Sequence, residues 1–210
     1  MTRSLPILLG LFVAVAACAQ DTPMSHDDMD MEMSNDMETA DDRAMDMPPM
    51  RAHDEARVSP NAGVMTTVGT TNVMVHYGRP SLKGRAYFGE GAELAPAGTV
   101  WRTGANEAPT VTFSGDVMVG GEMVPAGTYA LLTIPGDEWT VILNDTAQQW
   151  GAFRYDASQD RVRVMATPMT DAPMQEQFEI RFVDVTEDSA TMLLHWGTVG
   201  VPVPITEARM

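Results

Sequence analysis

Two short polar segments carry the residues best suited to chemistry. Residues 79–85 read Arg-Pro-Ser-Leu-Lys-Gly-Arg and concentrate three cations beside proline and glycine. Residues 101–107 read Trp-Arg-Thr-Gly-Ala-Asn-Glu and place a guanidinium beside an indole, an amide and a carboxylate. Cationic side chains bind carboxylates and phosphates, and an indole face can carry a ring. The segments therefore predict a site for a small anionic or carbohydrate-like ligand. Its candidate residues are Arg79, Ser81, Lys83, Arg85, Trp101, Arg102, Asn106 and Glu107.

Both segments also have other interpretations. The cations of 79–85 could pair with carboxylates of the chain itself, and Arg102 could pair with Glu107 as part of a buried structural network. An enzymatic alternative uses Glu107 in an unrecognised hydrolase or isomerase, with His76 as a possible acid–base partner. The sequence has no Gly-x-Ser-x-Gly elbow, His-Glu-x-x-His motif or phosphate-binding glycine loop. Binding is therefore expected in preference to catalysis.

Methionines recur in an acidic stretch nearer the N-terminus. Residues 21–57 contain 12 Asp/Glu, 3 Arg and eight Met, with no aromatic residue, which is typical of a disordered tether. Clustered thioethers flanked by imidazoles can bind Cu(I) or Ag(I), and the spacing resembles methionine-rich copper-handling segments of bacterial envelope proteins. An acidic linker and an oxidant trap are the alternatives. The candidate metal ligands are Met29, Met31, Met33, Met45, Met47, Met50, His26 and His53.

The N-terminus has the pattern of an export signal. Residues 1–17 join Arg3 to an apolar stretch too short to span a membrane. The string Val-Ala-Ala-Cys that ends at Cys18 resembles the bacterial lipoprotein signal, which implies lipidation of Cys18 and anchoring in the cell envelope. Ala19 follows instead of the aspartate typical of inner-membrane retention, which favours the outer membrane, with the protein facing the periplasm or exported to the surface.

Charge and cysteine content exclude several classes of function. The 210 residues carry a formal charge of −16, from 29 acidic and 13 basic side chains. This balance repels phosphate backbones, so nucleic acid is not an expected partner. The single cysteine, Cys18, excludes an intramolecular disulfide.

The remaining residues, 58–210, have the composition of an all-β domain. Val, Thr and aromatic residues alternate with polar ones, and Gly or Pro interrupts the pattern every 8 to 15 residues. We predict an antiparallel β-sandwich or jelly-roll-like domain after a disordered N-terminal tail, with hairpins at Gly120–Gly121 and at residues 135–137. The predicted strands are 64–69, 72–77, 98–103, 109–114, 116–119, 122–124, 127–134, 138–144, 160–166, 176–185, 190–197 and 199–204.

The two polar segments and several Gly- and Trp-containing strings also carry a family resemblance. The strings are those at 79–85, 101–107, 125–129 and 134–136, followed by Trp-Thr-Val from Trp139 and Trp-Gly from Trp150. From about Val73 to Ile205 the chain resembles the bacterial family called domain of unknown function 2911. The resemblance implies a β-rich, secreted or lipid-anchored envelope protein with no established activity.

Overall fold

A computed structural model describes residues 56–208, and this part of the chain forms thirteen β-strands and one short 3-10 turn, Ala157–Gln159. None of these residues belongs to a helix long and apolar enough to cross a membrane. The strands are β1 Asn61–Val68, β2 Thr71–Gly78, β3 Phe88–Gly89, β4 Ala95–Pro96, β5 Thr110–Phe113, β6 Val117–Val119, β7 Glu122–Val124, β8 Gly127–Ile134, β9 Trp139–Asn144, β10 Asp160–Ala166, β11 Gln175–Val183, β12 Ser189–Gly197 and β13 Val199–Glu207.

Two antiparallel sheets form the body of the domain and pack face to face. The six-stranded sheet has the order β1-β2-β5-β8-β9-β10, and the five-stranded sheet has the order β11-β12-β13-β6-β7. The two-residue strands β3 and β4 form a separate parallel pair. The prediction of an all-β, antiparallel sandwich is confirmed.

The core follows from the alternation of apolar and polar residues along each strand. Phe178 and Ile180 on β11 and Val164 on β10 are almost fully buried, as their period-two pattern predicts. An aromatic cluster fills one end of the core, and in it Trp101 stacks on Trp196 with ring centroids 5.8 Å apart. The cluster consists of Tyr77, Tyr87, Phe88, Trp101, Trp139, Phe178 and Trp196.

Both hairpins were predicted correctly from their turn residues, whereas some of the strands were not predicted correctly. The turns at Gly120–Gly121 and at residues 135–137 join β6 to β7 and β8 to β9, as expected. The prediction of a strand over residues 98–103 is wrong, because only Trp101 pairs there, through one bridge to Thr133. The short strands β3 and β4 were not predicted.

Several predictions fall on residues outside the described range. They are the signal peptide at 1–17, the lipidated Cys18, the tether up to residue 55, and the metal ligands Met29, Met31, Met33, Met45, Met47, Met50, His26 and His53.

Candidate functional site

Segment 101–107 leaves the sandwich at Trp101 and holds a strained backbone. Trp101 exchanges two backbone hydrogen bonds with Thr133, with N···O distances of 2.7 and 2.9 Å. Thr103 and Asn106 then adopt left-handed backbone, with φ values of 53° and 66°. This conformation is costly for a β-branched residue, yet Thr103 is fully buried and its hydroxyl lies 3.0 Å from that of Thr133. Tertiary contacts therefore hold Thr103 in a backbone conformation that a β-branched residue disfavours.

Arg102 lies between Trp101 and Thr103 on this backbone, and its guanidinium is not fully hydrogen-bonded. Its Nε atom is buried without a hydrogen-bond partner. Burial also lowers the pKa of the Arg102 guanidinium from its usual value, because desolvation disfavours the charged form. Within residues 56–208, the other buried side-chain atom that lacks a partner is Oε1 of Gln149. Native domains rarely leave such atoms unsatisfied, so both atoms are unusual features of this part of the domain.

The loop 145–156, between β9 and the 3-10 turn, pairs with segment 101–107. The amide of Ala108 donates to the carbonyl of Gln149, and the amide of Gly151 donates to that of Asn106, both at 3.0 Å. The side-chain amide of Gln149 donates to its own loop at Thr146, which leaves Oε1 as its free acceptor. The unpartnered donor and the unpartnered acceptor therefore belong to two segments that are hydrogen-bonded to each other.

Two aromatic rings of the same loop remain in solvent. Trp150 is 59% exposed and Phe153 is 83% exposed, whereas most large apolar side chains of the described domain are buried. A Cβ placed on Gly151 would lie 3.0 Å from the Phe153 ring and 3.9 Å from Cδ of Arg102. The ring and the arginine stem therefore approach the same glycine. Arg102, Gln149, Trp150 and Phe153 are called the arginine–aromatic site below.

Glu107 has a different partner from the one expected. Its carboxylate oxygens accept from Nη1 of Arg57 at 2.7 and 3.0 Å, so the predicted structural pairing of Glu107 with Arg102 is wrong. Glu107 forms its bridge with Trp150, and residues paired in this way project to the same side. The Arg57–Glu107 ion pair therefore borders the aromatic loop.

Trp101 does not offer an accessible face to a ligand. Its side chain is 5% exposed and packs within the aromatic cluster of the core. The prediction that its indole forms a binding platform is therefore wrong, because a partner nearly one hundred residues away, Trp196, covers that face. The exposed indole of the described residues is that of Trp150, which is 59% exposed on loop 145–156.

The cationic segment 79–85 packs along the edge strand β11 and forms hydrogen bonds with it. Ser81 forms a bridge to Gln177, and Nε of Arg79 donates to the carbonyl of Phe178 at 3.3 Å. Arg85 donates to the carbonyls of its own turn at Ser81 and Leu82, at 2.8 and 3.1 Å. The side chain of Lys83 is exposed, while its backbone amide donates to Glu176. Most of the polar groups in this segment thus serve the scaffold.

The two segments meet through their backbones, while their arginines contact different neighbours. A Cβ on Gly78 would lie 2.4 Å from the carbonyl oxygen of Ala105, so the chains touch at that point. Pro60 accepts from the amide of Arg79 at 2.9 Å, and the adjacent Ser59 accepts from the side chain of Asn106 at 3.4 Å. Arg79 then reaches β11, whereas Arg102 reaches loop 145–156.

Two further features limit where other chemistry can occur in residues 56–208. No group of three or more His, Cys, Asp or Glu side chains in this range could hold a metal ion. A shallow groove of about 490 Å³ is lined by Phe88, Trp139 and the acidic Glu90 and Asp137, among others, and contains none of the predicted ligand-binding residues.

Sequence analysis missed Gln149, Phe153 and Arg57 as site residues. The signal available for the first two was the irregular run around Trp150-Gly151, where aromatic residues lack strand alternation. Arg57 lies before the first strand and nothing in its neighbours indicates an ion pair fifty residues away.

These features define a small antiparallel β-sandwich in which a buried arginine Nε without a hydrogen-bond partner lies near a loop with exposed aromatic rings. The chain belongs to the family described as "Protein of unknown function (DUF2911)", whose model matches residues 59–205. This confirms the resemblance drawn from the sequence, and both polar segments lie inside the matched range. No curated protein and no solved structure matches the chain.

Proposed function

We propose that the domain binds a small anionic ligand at the arginine–aromatic site, with the anion on the guanidinium of Arg102. The observation that carries the proposal is the buried Nε of Arg102 without a hydrogen-bond partner. A charged group removed from water costs several kcal/mol unless it is paired, roughly 1–3 kcal/mol for the unmade hydrogen bond alone. A carboxylate or phosphate would supply both the charge and the acceptor that the domain withholds.

The neighbouring groups favour a sugar acid over a simple ion. Trp150 and Phe153 offer exposed aromatic surface for the apolar face of a sugar ring. Oε1 of Gln149 is an acceptor without a donor, which a ring hydroxyl would satisfy. A ligand that combines a carboxylate with hydroxyl donors on a six-membered ring could pair with the guanidinium, stack on the aromatic rings and donate to Gln149.

The members of segment 79–85 have supporting roles in this proposal. Lys83 contributes positive potential to an otherwise acidic protein. Arg79 and Ser81 contact the edge of β11, and Arg85 bonds within its own turn. Asn106 positions the backbone that carries Arg102. The bidentate ion pair with Arg57 gives Glu107 a structural role at the border of the site, so we do not propose a hydrolase or isomerase.

We also propose that the protein is held at the cell envelope through lipidated Cys18. The string that ends at Cys18 and the acidic tether after it support this proposal. A tether of nearly forty residues would place the sandwich away from the bilayer surface.

Titration with sodium glucuronate, inorganic phosphate and neutral glucose tests the proposed function. Binding is followed by tryptophan fluorescence, because Trp150 is exposed while Trp101, Trp139 and Trp196 are buried. Glucuronate should bind and glucose should not, since they differ in the carboxylate that Arg102 would hold. Arg102→Lys keeps the charge but loses the planar fork, so glucuronate affinity should fall at least about tenfold.

The matched control is Arg161→Lys. Arg161 already forms an ion pair with Asp145 at the start of the same loop, so its substitution should leave the affinity unchanged. Equal binding of glucose and glucuronate, equal binding by both variants, or no binding of either anion would contradict the proposal.

A further inference from the structure

The outer face of strands β1 and β2 carries two methionines and a histidine in adjacent register positions. Met65 pairs directly with Met74, and the next outward pair is Gly63 with His76. The intervening residues of both strands pack into the core, so these four residues project away from it. Two thioethers and an imidazole therefore share one patch of the six-stranded sheet.

The missing side chain at Gly63 lets the imidazole approach β1. Cδ2 and Nε2 of His76 lie 3.0 and 3.4 Å from the position that a Cβ of Gly63 would occupy. Met65 is the next residue of β1 on this face, about 7 Å along the strand, and directly paired residues have Cβ atoms about 5 Å apart. Methionine has three flexible side-chain torsions, so both sulfur atoms can reach the imidazole.

We propose that Met65, Met74 and His76 form a binding site for a soft monovalent cation, Cu(I) or Ag(I). Thioether sulfur and imidazole nitrogen are the donors that such cations prefer. Met65 is 60% exposed and provides access, whereas Met74 is 6% exposed. One ring nitrogen of His76 would bind the cation while the other keeps a protein neighbour, as is usual for metal-binding histidines. The formal charge of −16 also attracts cations.

This site shares no residue with the arginine–aromatic site or with the methionines predicted as metal ligands in the tether. The chain itself provides two comparisons within the described residues. Met165 is 58% exposed on the opposite edge of the same sheet, and its sulfur accepts the hydroxyl of Thr140 at 3.6 Å. Met118 on β6 and Met123 on β7 form a cross-strand pair like that of Met65 and Met74. Among the described residues, no histidine lies on β6, on β7 or on β13, the strand that pairs with β6.

The test follows each methionine separately in the full chain. Protein labelled with carbon-13 at the methionine methyl groups is titrated with Ag(I) in chloride-free buffer, and NMR signals are assigned by Met→Leu substitution. The signals of Met65 and Met74 should shift together, with the ring signals of His76, at a concentration at least about tenfold below that which moves Met165 or the Met118–Met123 pair. Tether methionines have their own signals and do not obscure this order.

Met65→Leu removes one sulfur at nearly constant volume on an exposed position, so the fold should be retained. In that variant, Met74 should require at least about tenfold more Ag(I), and in the matched Met165→Leu variant its response should be unchanged. The proposal is overturned if Met65 responds together with Met165, if Met65→Leu leaves the response of Met74 unchanged, or if the two methionines shift while His76 does not.

Discussion

Segments 79–85 and 101–107 look alike in sequence and differ in how the domain treats their arginines. Each combines arginine with glycine and other hydrogen-bonding residues. Arg79 donates to a backbone carbonyl of the edge strand β11, and Arg85 donates to two carbonyls of its own turn. Arg102 has its Nε buried with no such partner, on a strained backbone. The comparison teaches that two segments with similar residue types can differ in whether their buried polar atoms are satisfied, which residue type alone does not reveal.

The contact that joins the two segments gives the largest expected effect on stability. Gly78→Ala would place a Cβ 2.4 Å from the carbonyl oxygen of Ala105, and a backbone atom cannot move aside cheaply. We expect the free energy of unfolding to fall by about 1–3 kcal/mol in urea denaturation, together with weaker glucuronate binding.

Gly63→Ala on the paired strand is the control for Gly78→Ala. Its Cβ would meet the side chain of His76 at 3.0 Å, and the nearest backbone atom, the carbonyl oxygen of Val75, lies at an ordinary contact distance of 3.7 Å. Equal costs for the two substitutions would show that the contact between Gly78 and segment 101–107 is not rigid.

Replacement of each arginine by methionine should separate the two segments further. Arg85→Met loses two hydrogen bonds to carbonyls, so the free energy of unfolding should fall by about 1 kcal/mol while glucuronate affinity is unchanged. Arg102→Met keeps the packing of the stem and removes a desolvated charge, so stability should stay constant or rise by up to about 1 kcal/mol while binding is lost. Thermal and urea unfolding, measured beside glucuronate titration, distinguish these outcomes. Stability changes of the same sign and size would remove the distinction between the segments.

The smallest expected effect is on the pH dependence of stability and concerns Tyr155, at the far end of loop 145–156, whose hydroxyl is hydrogen-bonded to Asp160. Burial and then the hydrogen bond to Asp160 raise the pKa of Tyr155 to about 12, above the usual tyrosine value of 10.0. The folded state therefore holds this proton more tightly than the unfolded state, and the resulting stabilisation is present below about pH 10 and lost as the pH rises towards 12. In Tyr155→Phe, the free energy of unfolding should fall less steeply across this window. Parallel pH profiles for the two proteins would contradict this role.

The fold could be predicted where local chemistry decides it. Gly120–Gly121 specifies a tight hairpin, and the alternation of Phe178 and Ile180 assigns their faces without knowledge of the partner strands. The strand predicted at 98–103 failed because the left-handed backbone at Thr103 ends the pairing after Trp101. Nothing in the local sequence shows that a β-branched residue takes this conformation.

The site could be predicted only in part, because its properties depend on contacts between distant residues. Arg102 was identified from its neighbours, but neither its unsatisfied Nε nor the pairing of Glu107 with Arg57 could be predicted from them. The exposed ring was assigned to Trp101, whereas the fold buries that indole against Trp196 and exposes Trp150. Composition shows which groups are present, and tertiary packing decides which of them remain available.

The most direct test of the account is the Nε–H signal of Arg102 in nitrogen-15 NMR of the wild-type protein during titration with glucuronate. The account predicts that this signal shifts and that its exchange with water slows as the site saturates, because the anion supplies the missing acceptor. An Arg102 signal that stays unchanged while glucuronate saturates the protein would contradict the account and assign binding to another part of the chain.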